Sequence, residues 1–253
     1  MHLDRRDFLK KSGTGIVIAS TSSLWYDMLF AQEIPSVSHS LFEQRFGVTR
    51  DDMRKLLEFA LSKGGEFSEL FFEYKIANSV TMEEDIVKES AERVSLGVGV
   101  RVLQGEQTGY GYTSDLTFER MKQAALTAAA IASKGGKVEI PTLQDQKSPL
   151  QVYDLKQPFS DKSLDTRIGL AKAAYEAAQK YDSKIQKVQV FLTDEIQYVT
   201  IANSEGLLVS DTRPQVRLFA IAKAADGKNR NTARSSGGVR IGMAYYENER
   251  TQK

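Results

Sequence analysis

The sequence predicts an α+β fold with two lobes of mostly antiparallel sheet and packed helices. Amphipathic helical segments alternate with groups of short β-branched segments, and the connections between the latter are too short for parallel crossovers. A stretch that contains three prolines divides the chain near its middle, as linkers between domains do. Because each half shows a helix followed by several strands, we also raise the hypothesis of an internal duplication.

The composition is that of an ordinary globular protein and excludes several classes of function. Of the 253 residues 41% are hydrophobic, which excludes disorder, collagen and a multi-span membrane protein. The 34 basic residues are balanced by 33 acidic ones and form no dense run beyond the start of the chain, so we expect no nucleic-acid partner. With no Cys and only His2 and His39, the chain cannot form disulfides, thiolate metal sites or a zinc site with three nitrogen ligands.

Residues 1–32 have the pattern of a twin-arginine export signal. An arginine pair and a hydrophobic pair precede a modestly apolar run that is too short and too polar for a membrane span. We therefore expect the twin-arginine translocase as a partner and a periplasmic location. An ordinary basic helix is the alternative, and the poor cleavage site at 29–31 leaves open a leader retained as a membrane anchor. The residues read by the translocase would be Arg5, Arg6, Phe8, Leu9 and Lys10.

Hydrophobic period, caps and glycines place the elements along the chain. The expected segments are a leader at 1–32, a linker at 33–48, a first lobe at 49–140, a Pro-containing linker at 141–162 and a second lobe at 163–253. The predicted helices start at the Thr49–Asp52 capping box, near Asp115 and at Leu164. The predicted strands are 67–76, 80–87, 96–103, 108–112, 188–192, 196–202 and 207–209. A last hairpin is expected to pair 216–225 with 239–246 across a polar loop at 226–236.

No motif in the sequence assembles a catalytic site by itself. The acidic clusters 51–52 and 83–85 could form an all-carboxylate site, but a helix cap and a solvated turn are the favoured interpretations. The glycines at 97–111 alternate along strands instead of opening a helix, which disfavours a phosphate-binding loop. The segment 235–238, Ser-Ser-Gly-Gly, is interpreted as a flexible hairpin loop and not as an anion nest or an acyl-enzyme serine.

The glycine-rich strands indicate close packing next to an aromatic surface. Gly97 and Gly99 remove side chains from one face of their strand, so another group is expected to pack close there. Tyr110 and Tyr112 flank Gly111 and should point to one face. They are interpreted as an ordinary half-exposed aromatic pair or as the wall of a peptide groove.

Two blocks of the sequence carry a more specific pattern. The first runs from Gly97 to Val102 and continues from Gly105 to Tyr112; the second runs from Asp211 to Leu218 and is followed by glycines at 227, 237, 238 and 242. The first block resembles the glycine-rich signature of the TldD/PmbA family, its TldD branch especially, and the second is similar to the stretch before the catalytic half of that family. The signature residues, expected to be structural or to face substrate, are Gly97, Gly99, Arg101, Gly105, Gly109, Tyr110, Tyr112, Arg213 and Pro214.

The resemblance implies a metallopeptidase that hydrolyses unfolded proteins or small peptides as a homodimer, or as a heterodimer with a TldD/PmbA-type subunit. In the family a divalent metal, expected to be zinc, is held by a His-Glu-x-x-x-His helix whose glutamate polarises the bound water. Residues 1–253 do not contain that motif, so no catalytic or metal-binding residue is assigned and the chain alone is expected to be inactive. We therefore expect the N-terminal part of a longer protein, or a truncated gene product.

The role that this resemblance leaves to the two lobes is substrate binding and dimerisation. They would form the wall of a substrate chamber, where an extended peptide adds to an exposed strand edge. The alternatives are a non-catalytic peptide-binding or partner module without protease activity, and a coding sequence that has lost its function.

Overall fold

The computed structural model describes residues 37–132, 140–146, 153, 162–241 and 244–247, in which it shows seven strands and five helices. The strands are β1 (Phe67–Glu83), β2 (Ile86–Gln104), β3 (Gln107–Thr113), β4 (Gln144–Asp145), β5 (Ile185–Asn203), β6 (Leu207–Asp226) and β7 (Asn229–Val239). The helices are α1 (Val37–Phe46), α2 (Arg50–Leu61), α3 (Phe118–Ile131), α4 (Leu164–Lys180) and α5 (Ala244–Glu247). The predicted leader, with Arg5, Arg6, Phe8, Leu9 and Lys10, lies outside the described residues.

All seven strands belong to one sheet, in the order β3-β2-β1-β5-β6, and both β4 and β7 pair with β6. Neighbours are antiparallel except β4 and β6, which run parallel over a short pairing. The predicted α+β class with mostly antiparallel pairing is confirmed. The order helix, three strands, helix occurs twice, first from α2 to α3 and then from α4 to α5, which agrees with the hypothesis of a duplication.

Two hydrophobic cores lie on one face of the sheet, which we call the helix face. In the first core α1, α2 and α3 pack near Leu70 and Phe72 of β1. In the second core α4 packs near Val80 and Met82, towards the other end of the same strand. Alternate residues of a strand share a face, and these four side chains all stand at even positions. The two cores share one continuous sheet, and each contains residues from both predicted lobes, Ala202 and Leu208 in the first and Val80 and Met82 in the second.

The strands are longer than predicted. β1 and β5 contain 17 and 19 residues, and they pair with each other from Glu69↔Asn203 to Glu83↔Gln189. The sequence suggested shorter strands because the stretch between the two cores carries polar residues, such as the cross-strand pair Asn78 and Asp194. Apolar alternation fails there, although the backbone pairing continues.

The acidic cluster at 83–85 forms a turn, which confirms the interpretation favoured from the sequence. Glu84 and Asp85 connect β1 to β2 with φ angles of 53° and 57°, which is the backbone of a two-residue hairpin. The prediction of one strand over 80–87 was therefore wrong, since its two ends belong to different strands.

Two stretches expected to be linkers contain secondary structure. Within 33–48 lies α1, whose Phe42 is fully buried with its ring 5.5 Å from that of Phe72. Within 141–162 lies β4, which adds to the start of β6. Neither was visible in the sequence, because the apolar residues of α1 form no continuous helical stripe and β4 is two residues long.

The predicted capping box at the start of α2 is confirmed. The Thr49 hydroxyl accepts a hydrogen bond from the Asp52 backbone N–H at 3.1 Å, and the Asp52 carboxylate accepts one from the Thr49 N–H at 3.0 Å. These two bonds satisfy backbone donors that the first turn of a helix leaves free. The apolar stripe that follows is buried and consists of Met53, Leu56, Leu57, Ala60 and Leu61.

The last hairpin differs from the prediction. β6 pairs with β7 from Val216↔Val239 to Asp226↔Asn229 around a two-residue turn, in which Gly227 has a φ of 58°. The predicted loop 226–236 is thus mostly strand, its Ser-Ser-Gly-Gly segment is not a flexible loop, and 244–247 is helical. The sequence misled because residues 229–236 are all exposed and polar or small, so they lack the alternation that marks a half-buried strand.

Helix α3 lies directly on the backbone of β3, because two glycines and the alanine-rich stretch fit each other. A Cβ atom placed on Gly111 would lie 2.0 Å from the Ala124 carbonyl oxygen, and one on Gly109 would lie 2.0 Å from that of Ala128. Both distances are far below van der Waals contact, so only glycine permits this approach. The expected close packing of the alanine-rich helix is confirmed.

Gly111→Ala should therefore destabilise the protein by about 2 kcal/mol or more, since the added methyl group meets a backbone carbonyl that cannot move alone. Gly169→Ala in α4 is the matched control, because that glycine has open space around it. It should raise the free energy of unfolding by up to ~1 kcal/mol through helix propensity. Urea unfolding followed by circular dichroism measures both; an equal effect of the two changes would contradict this packing.

A buried ion pair fixes α4 on the sheet between the two cores. The Arg167 guanidinium donates two hydrogen bonds to the Asp194 carboxylate, at 2.6 Å and 2.9 Å, and another to the Lys162 carbonyl. Asn78 of β1 donates to the same carboxylate at 3.2 Å. The side chains of Arg167 and Asp194 are only 7% and 2% exposed, so the Arg167 guanidinium compensates the Asp194 charge in a site shielded from water.

Asp194→Ala should lower the free energy of unfolding by about 3–5 kcal/mol, because it removes the carboxylate that accepts two hydrogen bonds from the buried Arg167 guanidinium. Glu176→Ala, which removes the exposed pair with Lys180 on the same helix, should cost less than about 0.5 kcal/mol. Chemical denaturation at neutral pH compares the two variants. A loss at Asp194 as small as that at Glu176 would show that this pair does not hold the helix.

Candidate functional site: the open face of the sheet and its edges

The face opposite the helix face, which we call the open face, has no described helix packed over it. On β1 it carries the odd-numbered residues from Phe67 to Glu83, and all of them are partly exposed. On β3 it carries Tyr110 and Tyr112, whose residues are 57% and 59% exposed. Such exposure of two tyrosines is typical of a surface that contacts a partner.

The two tyrosines lie across β2 at the positions where that strand has glycines. A Cβ placed on Gly99 would lie 2.4 Å from the Tyr110 hydroxyl oxygen, and one on Gly97 would lie 2.7 Å from that of Tyr112. Each ring therefore lies over a glycine one strand inwards. The predicted close packing at Gly97 and Gly99 is confirmed, and its partner is the tyrosine pair.

Arg101 extends this surface along β2. Its guanidinium lies 2.8 Å from the Glu69 carboxylate of β1, and both side chains are partly exposed. Strand register places Arg101 directly opposite Tyr110. The surface formed by Gly97, Gly99, Arg101, Tyr110 and Tyr112 is called the tyrosine face below.

Four of the nine signature residues lie away from the tyrosine face. Gly105 is in the β2–β3 turn with a φ of 55°, Gly109 faces α3, and Pro214 is buried on the helix face. Arg213 is on the open face of β6, three strands from β2 and so about 14 Å away. Its guanidinium lies 2.7 Å from the Asp211 carboxylate.

The outer edge of β3 is unpaired among the described residues and presents backbone groups next to the tyrosines. Gln104 and Gln107 flank a two-residue turn, so their backbones hydrogen-bond to each other. Along β2 and β3 from that turn, pairs of residues that share backbone hydrogen bonds alternate with pairs that do not. Thr108, Tyr110 and Tyr112 therefore direct their N–H and C=O groups outwards. The same residues that expose their rings also expose their backbone.

Sequence reasoning missed a cleft of about 430 Å³ on the helix face beside the buried ion pair. Ser90 and Glu92 of β2 contribute to its wall, as does Leu164 at the start of α4. No period or motif marks these residues, because strand pairing and the docking of α4 bring them together. Arg167, which also lines the cleft, is already bound to Asp194.

The described residues do not fit a metal ion. They contain no group of three or more His, Cys, Asp or Glu side chains that could hold one. The acidic clusters from the sequence are engaged otherwise: Lys55 and Arg54 donate hydrogen bonds that hold the pKa of Asp51 below its ordinary value. Lys187 and Gln189 do the same to the pKa of Glu83.

Two parts of the chain match families of known proteins. Residues 68–132 match the family described as PmbA/TldA metallopeptidase domain 1, and residues 157–251 match the PmbA/TldA metallopeptidase central domain. The two matches follow each other in chain order and together cover more than half of the chain. The chain belongs to the PmbA/TldD metallopeptidase family.

None of its described helices is long and apolar enough to cross a membrane.

Curated relatives carry the name metalloprotease TldD homolog. The protein of Haemophilus influenzae is 28% identical over 183 residues, which are 72% of this chain and 38% of the relative. That of Buchnera aphidicola from Schizaphis graminum is 25% identical over 199 residues, 79% of this chain and 41% of the relative. The chain thus spans about two fifths of the length of these relatives.

Solved structures share the fold. A Bacteroides thetaiotaomicron protein described as a proposed modulator of DNA gyrase has a TM-score of 0.61 at 18% identity, over 77% of this chain and 46% of that one. TldE from Thermococcus kodakarensis has a TM-score of 0.58 at 15% identity, over 75% and 43%. At these identities the likeness shows the fold alone, and it confirms the α+β architecture.

Proposed function

We propose that this chain forms the substrate-binding and dimerisation part of an exported TldD-like metallopeptidase that hydrolyses unfolded proteins or small peptides. The family membership and the names of the relatives support the class of enzyme. Those relatives are more than twice as long as the matched region, which supports a metal site, with zinc as the expected ion, on polypeptide outside residues 1–253. Residues 1–253 alone would then be inactive.

The observation that carries the binding role is the free edge of β3. An extended peptide can pair its backbone with the outward groups of Thr108, Tyr110 and Tyr112, while its side chains meet the tyrosine rings. Pairing through the backbone is tolerant of sequence, which suits an enzyme acting on unfolded chains. The tyrosines add apolar contact and keep a polar end, so they tolerate different side chains as well.

The assembly and the location are parts of the same proposal. The likeness to TldE supports a TldD/PmbA-type partner, either a second copy or a related subunit. Arg5 and Arg6 support recognition by the twin-arginine translocase and hence a periplasmic enzyme, or one held at the membrane by a retained leader.

Peptide binding tests the role of β3. Tyr110→Ala combined with Tyr112→Ala should weaken binding of a fluorescein-labelled unfolded peptide by about tenfold, as expected for the loss of two aromatic contacts. Tyr181→Ala is the matched control, because that tyrosine is 87% exposed elsewhere on the molecule. Fluorescence anisotropy gives the affinities. Equal affinity of the double variant and the control would remove the tyrosine face from the proposal.

Hydrolysis tests the class of enzyme. The natural protein, isolated from a periplasmic extract in its native assembly, should degrade unfolded casein, lose this activity with 1,10-phenanthroline and regain it with added zinc. Residues 33–253 alone should bind peptide without cutting it. Peptide binding by the native assembly with no hydrolysis under any metal would instead favour the non-catalytic module, and cutting by residues 33–253 alone would refute the division of roles.

A further inference from the structure

The β6–β7 hairpin carries a positive net charge, although the acidic and basic residues of the whole chain nearly cancel. The segment 216–240 contains six basic residues and one acidic residue, while the complete chain has a net charge of +1. The basic residues are spaced along two strands, so they form no run in the sequence. They are Arg217, Lys223, Lys228, Arg230, Arg234 and Arg240.

Strand register brings four of these cations onto the open face. Arg217 and Lys223 stand at odd positions of β6, which share the face opposite Val216 of the second core. Arg234 pairs with Ile221, and Arg230 pairs with Ala225, so both lie on the same face of β7. We call Arg217, Lys223, Arg230 and Arg234 the cationic edge.

These charges are exposed and lack acidic partners among the described residues. All four members of the cationic edge are exposed, and none forms an ion pair there. Two carboxylates at this end of the sheet are paired with other cations, Glu83 with Lys187 and Asp226 with Lys184. The cationic edge therefore presents positive charge on a face that also carries the partly exposed Phe219 and Ile221.

The backbone of β7 faces outwards at the same residues. Asp226 and Asn229 flank the two-residue turn, so their backbones hydrogen-bond to each other. Starting with the next pair along β6 and β7, every second pair of residues shares no backbone hydrogen bonds. Arg230, Thr232 and Arg234 belong to the non-bonded pairs, as does Ser236. Their N–H and C=O groups point to the free edge, which no described strand occupies.

We propose that the free edge of β7 binds an extended acidic peptide segment of another polypeptide as an added strand. Acidic side chains at alternate positions of that segment would lie next to Arg230, Thr232 and Arg234 on the open face. The small Thr232 leaves Lys223, its partner on β6, within reach of the middle acid. The proposal does not depend on peptidase activity and concerns the end of the sheet away from β3.

The next alternate position of the segment should be apolar. It would lie beside Ser236, whose neighbour on β6 is Phe219. The Phe219 ring lies 5.9 Å from that of Phe191, and both residues are only partly covered. The expected pattern is therefore acidic, any, acidic, any, acidic, any, aromatic or aliphatic.

A peptide fits this edge better than a nucleic acid or a lipid surface does. Phosphate groups would satisfy the arginines but offer no donors for the outward carbonyls of Arg230, Thr232 and Arg234. A strand offers donors and acceptors in alternation at the same spacing as the edge. Charged residues on an edge also discourage strand-to-strand aggregation, and that protective role alone predicts no saturable binding of a peptide.

The test uses the purified chain and a fluorescein-labelled peptide with the sequence Glu-Thr-Asp-Val-Glu-Thr-Phe. Arg230→Glu combined with Arg234→Glu should weaken its binding by about tenfold or more, because attraction becomes repulsion at two positions. Lys63→Glu combined with Lys88→Glu is the control with the same change in net charge away from the β6–β7 hairpin, and its affinity should stay within about twofold of the wild type. Both side chains replaced in the control are exposed.

Two further measurements distinguish strand addition from simple charge attraction. Both use the unchanged protein, so they do not depend on whether a variant folds. A peptide of the same sequence with N-methylated alternate amides should not bind. Amide hydrogen exchange followed by NMR should slow on binding at Arg230, Thr232 and Arg234 but not at Asn231 and Ala233, whose amides already bond to β6.

Each of the other outcomes overturns the proposal. These are absence of saturable binding, equal binding of the N-methylated peptide, and tighter arginine-dependent binding of oligo(dT) or of phosphatidylglycerol vesicles than of the peptide. Dissociation of a dimer by the Arg230→Glu/Arg234→Glu change, with peptide binding unaltered, would assign the edge to a second copy of the chain.

Discussion

The antiparallel pairing of β1 with β5 is the contact on which the rest of this structure depends. It runs through most of both strands and joins two halves with the same order of elements into one sheet. Because the even-numbered side chains of β1 contribute to both cores, the helices in the described ranges pack on one face. Those helices leave the opposite face and the outer edges of β3 and β7 uncovered.

The two outer strands show the same rule with different chemistry. In an antiparallel strand the residues whose backbone points to the free edge are alternate ones, so their side chains all lie on a single face. On β3 this rule exposes two tyrosines beside glycines, whereas on β7 it exposes arginines beside small side chains. This difference underlies the two proposals, that β3 binds peptides of varied sequence and that β7 binds acidic segments.

Structural features that are set by a few neighbouring residues could be predicted from the sequence, whereas features that are set by contacts with distant residues could not. The capping box of α2, the acidic turn and the close packing at Gly97 and Gly99 follow from backbone rules within a few residues, and all are confirmed. Helix α1 and strand β7 were missed. Phe42 is buried by a sheet that starts more than twenty residues later, and β7 is held by pairing with β6 and not by a core of its own.

The sequence by itself determined the fold class, the helix starts, the tight turns and the likeness to a metallopeptidase family, because caps, glycines and hydrophobic period act over a few neighbouring residues. Only the tertiary structure decided that the two halves share a sheet, which residues form the tyrosine face and that four separate cations share one face of the β6–β7 hairpin. The physical reason is strand register: it sets which distant residues become neighbours, and it is fixed by the pairing of whole strands and not by any single segment.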